Sequence, residues 1–275
     1  MRSPAVAGAF YPGTKEECER MLSGFQSRCK TDFAGDVVSC VVPHAGWVYS
    51  GFTAMHSFAA LKQTCVGKKV KKPVFVILCP NHSGCGAEVA VSTENWLTPL
   101  GEAKCSQKTV AAVINSSEFV SADDAAHARE HSAEVQLPFL QFLFGKDFEF
   151  VAIALMRQEL EVATDLAKAT AVAAKNLRQP VFMIASSDLT HYEPARQAKA
   201  KDEYCLEAVL KLDAAGFMKR VEERDVSACG PCAIAASIEY ALLNGAKEAS
   251  VLHFSNSGAV SCNARVVDYA SAVFF

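Results

Sequence analysis

The chain has 275 residues, 51% of them hydrophobic and 21% charged, with a net charge of −3. That composition excludes disorder and leaves room for a large core, and the faintly acidic balance argues against nucleic acid or an anionic membrane as partner. No stretch approaches the roughly 18 apolar residues of a membrane span, and the opening Met1–Gly13, broken by two prolines, is no signal peptide, so a cytoplasmic location is expected.

In chain order, Lys15–Cys29 is amphipathic, with Cys18, Met21, Leu22 and Phe25 at helical spacing. Val37–Val42 is an apolar, β-branched run closed by Pro43, which reads as a buried strand ending just before His44. Gly46 and Gly51 then allow a turn before a helix over Phe52–Gln63. Lys68 to Lys72 reads as a solvated loop, and Val74–Cys79 repeats the strand pattern ahead of Pro80-Asn81-His82. Residues 86–93 alternate as a strand, Pro99-Leu100-Gly101 marks a turn, and Lys104–Asn115 reads as a helix.

A polar stretch from Asp123 to Glu134 follows, with Ser132 suited to an N-cap and Pro138 limiting or bending the next helix. Strands are expected at Phe148–Met156, Val181–Ala185, Val251–Phe254 and Arg265–Phe274, with helices at Glu159–Leu177, across 196–223 and over Ala233–Leu243. Strands alternating with helices over the whole length imply one α/β domain spanning 1–275, with a largely parallel central sheet covered on both faces. Eleven cysteines, an odd count with no secretory signal, read as reduced thiols.

Four places put soft or ionisable groups just past a strand or at a helix start: His44, His82, Asp188 with His191, and Cys229. On one sheet edge, imidazole, carboxylate and thiolate together suit a transition metal, with iron, copper and zinc all allowed. His131, beside Glu130, is placed to support the site or act as general base. His127 reads as a loop residue, and His56 and His253 as core or surface residues.

Other chemistries fit less well. Cys229-Gly-Pro-Cys232 at a helix start has the form of a thioredoxin-type redox pair, but no proline follows it to supply that fold's cis-proline. A cysteine there still feels the positive end of the helix dipole. Ser186, Ser187, Asp188 and His191 lack a Gly-x-Ser-x-Gly elbow, and no phosphate-cradling glycine motif appears.

Taken in order, Ala7–Pro12, Pro43–Gly51, Pro80–His82, Glu130–Glu134, Ser186–His191 and Cys229-Gly230 resemble the Memo family over nearly the whole chain. The resemblance implies a three-layer α/β/α fold similar to class III extradiol dioxygenases, with His44, His82 and Cys229 as metal ligands and Asp188 and His191 lining the pocket. It also implies iron or copper binding and a redox role. In animal members it implies phosphotyrosine peptides as partners, and in microbes an association with radical-SAM and AMMECR-type proteins. Asn81 and Ser83 flank His82 where other members offer a further histidine, and Cys232 could draw Cys229 into a disulfide.

Two functions stand from this reading. One is a metal-dependent redox protein in which His191 or His131 moves protons and Asp188 orients an imidazole or water. The other is a peptide or phosphopeptide adaptor whose pocket has Trp47, Tyr49 and Tyr192 as aromatic walls.

Overall fold

The structure, a computed structural model, describes residues 1–29, 33–261 and 263–275. Helix α1 (Lys15–Arg28) starts at Thr14, whose hydroxyl accepts the Glu17 N–H, and buries Cys18, Leu22 and Phe25 at the spacing seen in the sequence. Strand β1 (Ser39–Val42) runs through Pro43–Gly46 into helix α2 (Trp47–Gly67). That helix begins ahead of the expected Phe52. Gly51 is no turn but an interior helical residue, because a Cβ there would lie 2.5 Å from the Phe25 ring of α1.

Strand β2 (Val74–Pro80) is followed by β3 (Val89–Val91), shorter than the 86–93 alternation suggested, and by the hairpin β4 (Trp96–Thr98) and β5 (Gly101–Ala103). Helix α3 (Gln107–Ser116) starts later than expected because the backbone around Cys105 instead pairs with Phe150, through Phe150 N–H to Lys104 C=O and Ser106 N–H to Phe150 C=O. After β6 (Ser121–Ala122) come two 3-10 turns, Ala125–His127 and Glu134–Gln136, and then α4 (Leu137–Phe144). Pro138 sits in the first turn of α4, where its missing N–H costs nothing. Ser132 is not the cap: Gln136 holds that position, and the Ser132 hydroxyl turns inward to Pro80 C=O and Glu130.

The remainder is β7 (Glu149–Leu155), α5 (Leu160–Leu177), β8 (Val181–Ser186), β9 (His191–Pro194), α6 (Ala195–Leu210), α7 (Ala214–Glu223), α8 (Pro231–Leu243), β10 (Ala249–Asn256), α9 (Gly258–Ser261) and β11 (Arg265–Phe274). The helical stretch 196–223 is split at Lys211–Asp213, where Leu212 takes a φ of 56°.

Among the described residues the main sheet has nine strands, ordered β10-β11-β1-β8-β2-β7-β3-β6, with β9 pairing on β11. Its centre, β1, β8, β2 and β7, is parallel, with Ser39 opposite Met183 and Val74 opposite both Val181 and Glu149. The outer strands β11 and β3 run antiparallel to it. Helices flank the sheet, α2 against β1, β10 and β11 and α8 against β1, β2 and β8, which makes the three-layer α/β/α arrangement. The central strands are buried almost throughout, as their uninterrupted apolar runs require.

Parallel strands share one carboxyl edge, and His44, His82 and Asp188 all follow strands that end there. No helix among the described residues is long and apolar enough to cross a membrane. Cys262 lies outside the described residues; Cys229 and Cys232 are both free thiols.

Candidate metal centre

His44 is 2% exposed, two residues past β1. Its Nδ1 lies 2.9 Å from Ser186 Oγ. That hydroxyl donates its one proton to Ser132 C=O at 2.8 Å and receives the Gln136 amide N–H at 3.0 Å. It can therefore only accept from the imidazole, which puts the ring proton on Nδ1. The Nε2 lone pair is left 3.1 Å from Cys229 Sγ.

His82 reaches the same tautomer by another route. Its backbone N–H donates to Glu130 Oε2 at 2.6 Å, and its Nδ1 lies 3.0 Å from Glu130 Oε1. Glu130 also accepts the His131 and Ser132 N–H groups, each at 2.9 Å, and the Ser132 hydroxyl at 2.7 Å. Burial alone would raise its pKa, but the hydrogen bond and charge of His82 and the Ser132 donors carry it well below the usual carboxylate range. An ionised carboxylate only accepts, so the His82 proton facing it sits on Nδ1, and the neutral ring that a metal would bind presents Nε2.

Cys229 directly precedes the Gly230 cap of α8, and its Sγ accepts the Asp188 N–H at 3.2 Å. Burial, reinforced by the nearby Asp188 charge, pushes this thiol up. Ligand atoms of His44, His82 and Cys229 all lie within 4.8 Å of one another, and the two rings stand 5.2 Å apart at 80°. Two neutral imidazoles and one sulfur at that spacing fit one iron, copper or zinc ion, whose binding would displace the thiol proton. His82, Glu130 and His131 form a second group within the same limit, but Glu130's oxygens are already filled by donors from the chain. That group supports the first.

The remaining candidates surround this centre. Asp188 is buried, and its Oδ1 accepts the N–H groups of His44 at 2.8 Å and Ala45 at 3.3 Å. Burial pushes it up to about 6, opposed in part by the His44 N–H. It thus fixes the backbone of one ligand and, through its own N–H, the sulfur of another. His131 stacks on His82 at 4.7 Å and lies 5.4 Å from His44, with Phe10 at 4.6 Å; burial lowers its pKa. His191 opens β9 at the rim, held by Ser227 through its N–H and through Nδ1, both at 2.8 Å.

Several expectations shift. Trp47 is no pocket wall: it is 2% exposed, packs on Tyr11, Phe25 and Phe139, and donates Nε1–H to Val135 C=O. Tyr49 and Tyr192 are both exposed. His127 is no loop histidine but a fully buried core residue against Trp96, its Nε2 3.0 Å from Ala90 C=O. Cys232 is buried, its N–H donating to Gln158, and stands outside both ligand groups.

Sequence reading places Glu130 only as the neighbour of His131 and Ser186 only as part of a rejected triad and a motif, and passes over Gln136, although Glu130 and Ser186 each hold a ligand ring and Gln136 holds Ser186. It also passes over the buried pair of Arg2 and Glu134, Nη1 to Oε2 at 2.7 Å. Glu134 also accepts the Ala5 and Val6 N–H groups and the Tyr11 hydroxyl, which ties the N-terminal motif, and with it Phe10, to the Glu130–Glu134 segment.

The model of the Memo-like protein family matches residues 2–273. A MEMO1 family protein of Thermoplasma acidophilum is 40% identical over 274 residues, covering 99% of this chain and 98% of its own. One from Archaeoglobus fulgidus is 39% identical over 276 residues, with 100% and 99% covered, and one from Methanococcoides burtonii is 38% identical over 280, with 99% of each covered.

Proposed function

The chain belongs to the Memo-like protein family, and on that premise we propose that it is a metal-dependent redox protein holding one iron or copper ion between His44, His82 and Cys229. The observation that carries this reading is the matched tautomer of the two imidazoles. Each has its Nδ1 proton committed to a buried acceptor, so each offers Nε2, and His44 offers it beside the thiol. A bound iron or copper would supply one-electron chemistry and a Lewis-acid centre.

The chain supplies the rest. Ser186 and Glu130 orient the two rings, and Asp188 holds the His44 backbone and the sulfur. His131, whose side chain is 19% exposed, combines contact with His82 and access to solvent, which suits it to pass protons. His191 sits further out, near enough for its charge to act on Asp188. The adaptor reading keeps Tyr49 and Tyr192 as exposed aromatic contacts but not Trp47.

Anaerobic metal analysis with an optical spectrum tests the reading. Wild type should load about one equivalent of iron or copper and the double variant His44→Ala, Cys229→Ser should load none. Equal metal in both would contradict it.

A further inference from the structure

Behind the metal centre, Asp202 of α6 and Asp268 of β11 are both 0% exposed and within hydrogen-bond reach of each other. Neither Asp268 oxygen has a protein donor in full hydrogen-bond geometry, the Asn256 side chain coming near enough only to favour its charged form in part, whereas Asp202 receives the Thr190 hydroxyl at 2.7 Å and the Thr190 N–H at 3.3 Å. Two ionised carboxylates cannot stay together without water or a counter-charge, so a proton between them is the simplest way to satisfy both.

The same two residues grip the chain that builds the site. Leu189 N–H donates to Asp268 C=O, Asp268 N–H donates to Thr190 C=O, and Asp188, one residue earlier, holds His44 and Cys229. We propose that Asp202 and Asp268 share one proton and act as positioning residues that fasten the Asp188–His191 segment, so that loss of this proton loosens the metal centre. The second half rests on the metal reading above; the first does not.

The charged neighbours are few. Glu193 of β9 faces Asp202 and opposes its ionisation, and Lys199 of α6 favours that of Asp268. Cys205 on α6 and Tyr269 on β11 also feel the pair, and burial pushes the Cys205 thiol up to about 12. Burial raises Asp202 to about 6, and burial with the Asp202 charge raises Asp268 to about 8. Both values exceed the roughly 4 of an unfolded carboxylate, so the pair's contribution is complete below about 4, falls as pH rises and is gone once pH has passed through about 6 to 8, the single shared proton being the last to leave.

Asp268→Asn replaces the shared proton with a permanent N–H donor. Melts of metal-free protein from pH 5.5 to 8.5 should show the variant gaining on wild type by about 5 °C across that range. Asp202→Asn, which keeps an acceptor for Thr190, serves as the second variant should the first not fold. Co²⁺ titrations over the same range should show the variant-to-wild-type affinity ratio rising at least threefold.

Parallel melting lines would overturn the shared proton. So would a rise in wild-type melting temperature with Ca²⁺ or Mg²⁺ that Asp268→Asn abolishes, since the pair would then hold a cation. Diverging melts with a flat Co²⁺ ratio would overturn the positioning role. Absence of Co²⁺ binding in wild type at every pH would instead break the metal reading, leaving the melts to judge the proton.

Discussion

Two clusters of imidazoles sit on this fold, and they differ in how their rings meet and in whether a sulfur joins them. In the first, His44, His82 and His131 gather within 4.6 to 5.4 Å of one another or of Phe10, and His44 and His82 have Nδ1 bound to a buried oxygen. In the second, His56 of α2 and His253 of β10 stack face to face at 4.5 Å and 12°. There His56 Nδ1 is taken by Phe52 C=O, and His253 Nδ1 by the Thr53 hydroxyl. Stacked planes direct their lone pairs side by side instead of toward a common point, and among the described residues no third ligand joins them. Proximity of histidines is therefore not what marks out the candidate metal centre; a third ligand atom, the Cys229 sulfur, within 4.8 Å of both imidazoles is.

The sharpest way to break the comparison is to remove ligands from each cluster. Cys229→Ser should lower metal affinity more than about 100-fold, while His56→Ala with His253→Ala should leave metal content unchanged by elemental analysis. Next in size is Glu130→Gln, whose amide cannot accept every N–H now on the carboxylate; competition titration should show a roughly 10- to 100-fold loss. Ser186→Ala frees His44 Nδ1 from its acceptor and should cost about tenfold, at the low end of the same range.

The smallest effect belongs to the stacked pair. Burial holds both His56 and His253 below the ordinary histidine value, His56 adding to the effect on His253. The unfolded chain then takes up protons first, so stability present above pH 6.5 is lost as pH falls below it. His253→Gln should flatten that acid loss by about 1 to 3 °C in thermal melts between pH 7 and 5.

What could be read beforehand follows a physical line. The central strands were legible because strands buried on both faces must be apolar throughout, and the candidate ligands His44 and His82 because they follow those strands at one edge, while Cys229 stands instead at a helix start. The start of α2 was not, since Gly51 looks like a turn residue until Phe25, far back in the chain, is seen to need its space. Ser132 looks like a cap for the same reason: its partner Pro80 is 52 residues away. Glu130, Ser186, Gln136 and Asp268 are polar residues whose burial depends on tertiary packing, and no local pattern separates them from solvated ones.

The central claim is that two imidazole nitrogens and one sulfur converge on a single ion. X-ray absorption at the metal edge of anaerobically loaded protein tests it most directly. One sulfur and two imidazoles in the first shell, the sulfur vanishing in Cys229→Ser, is the predicted result; a shell of oxygen alone, or one unchanged by that substitution, would contradict it.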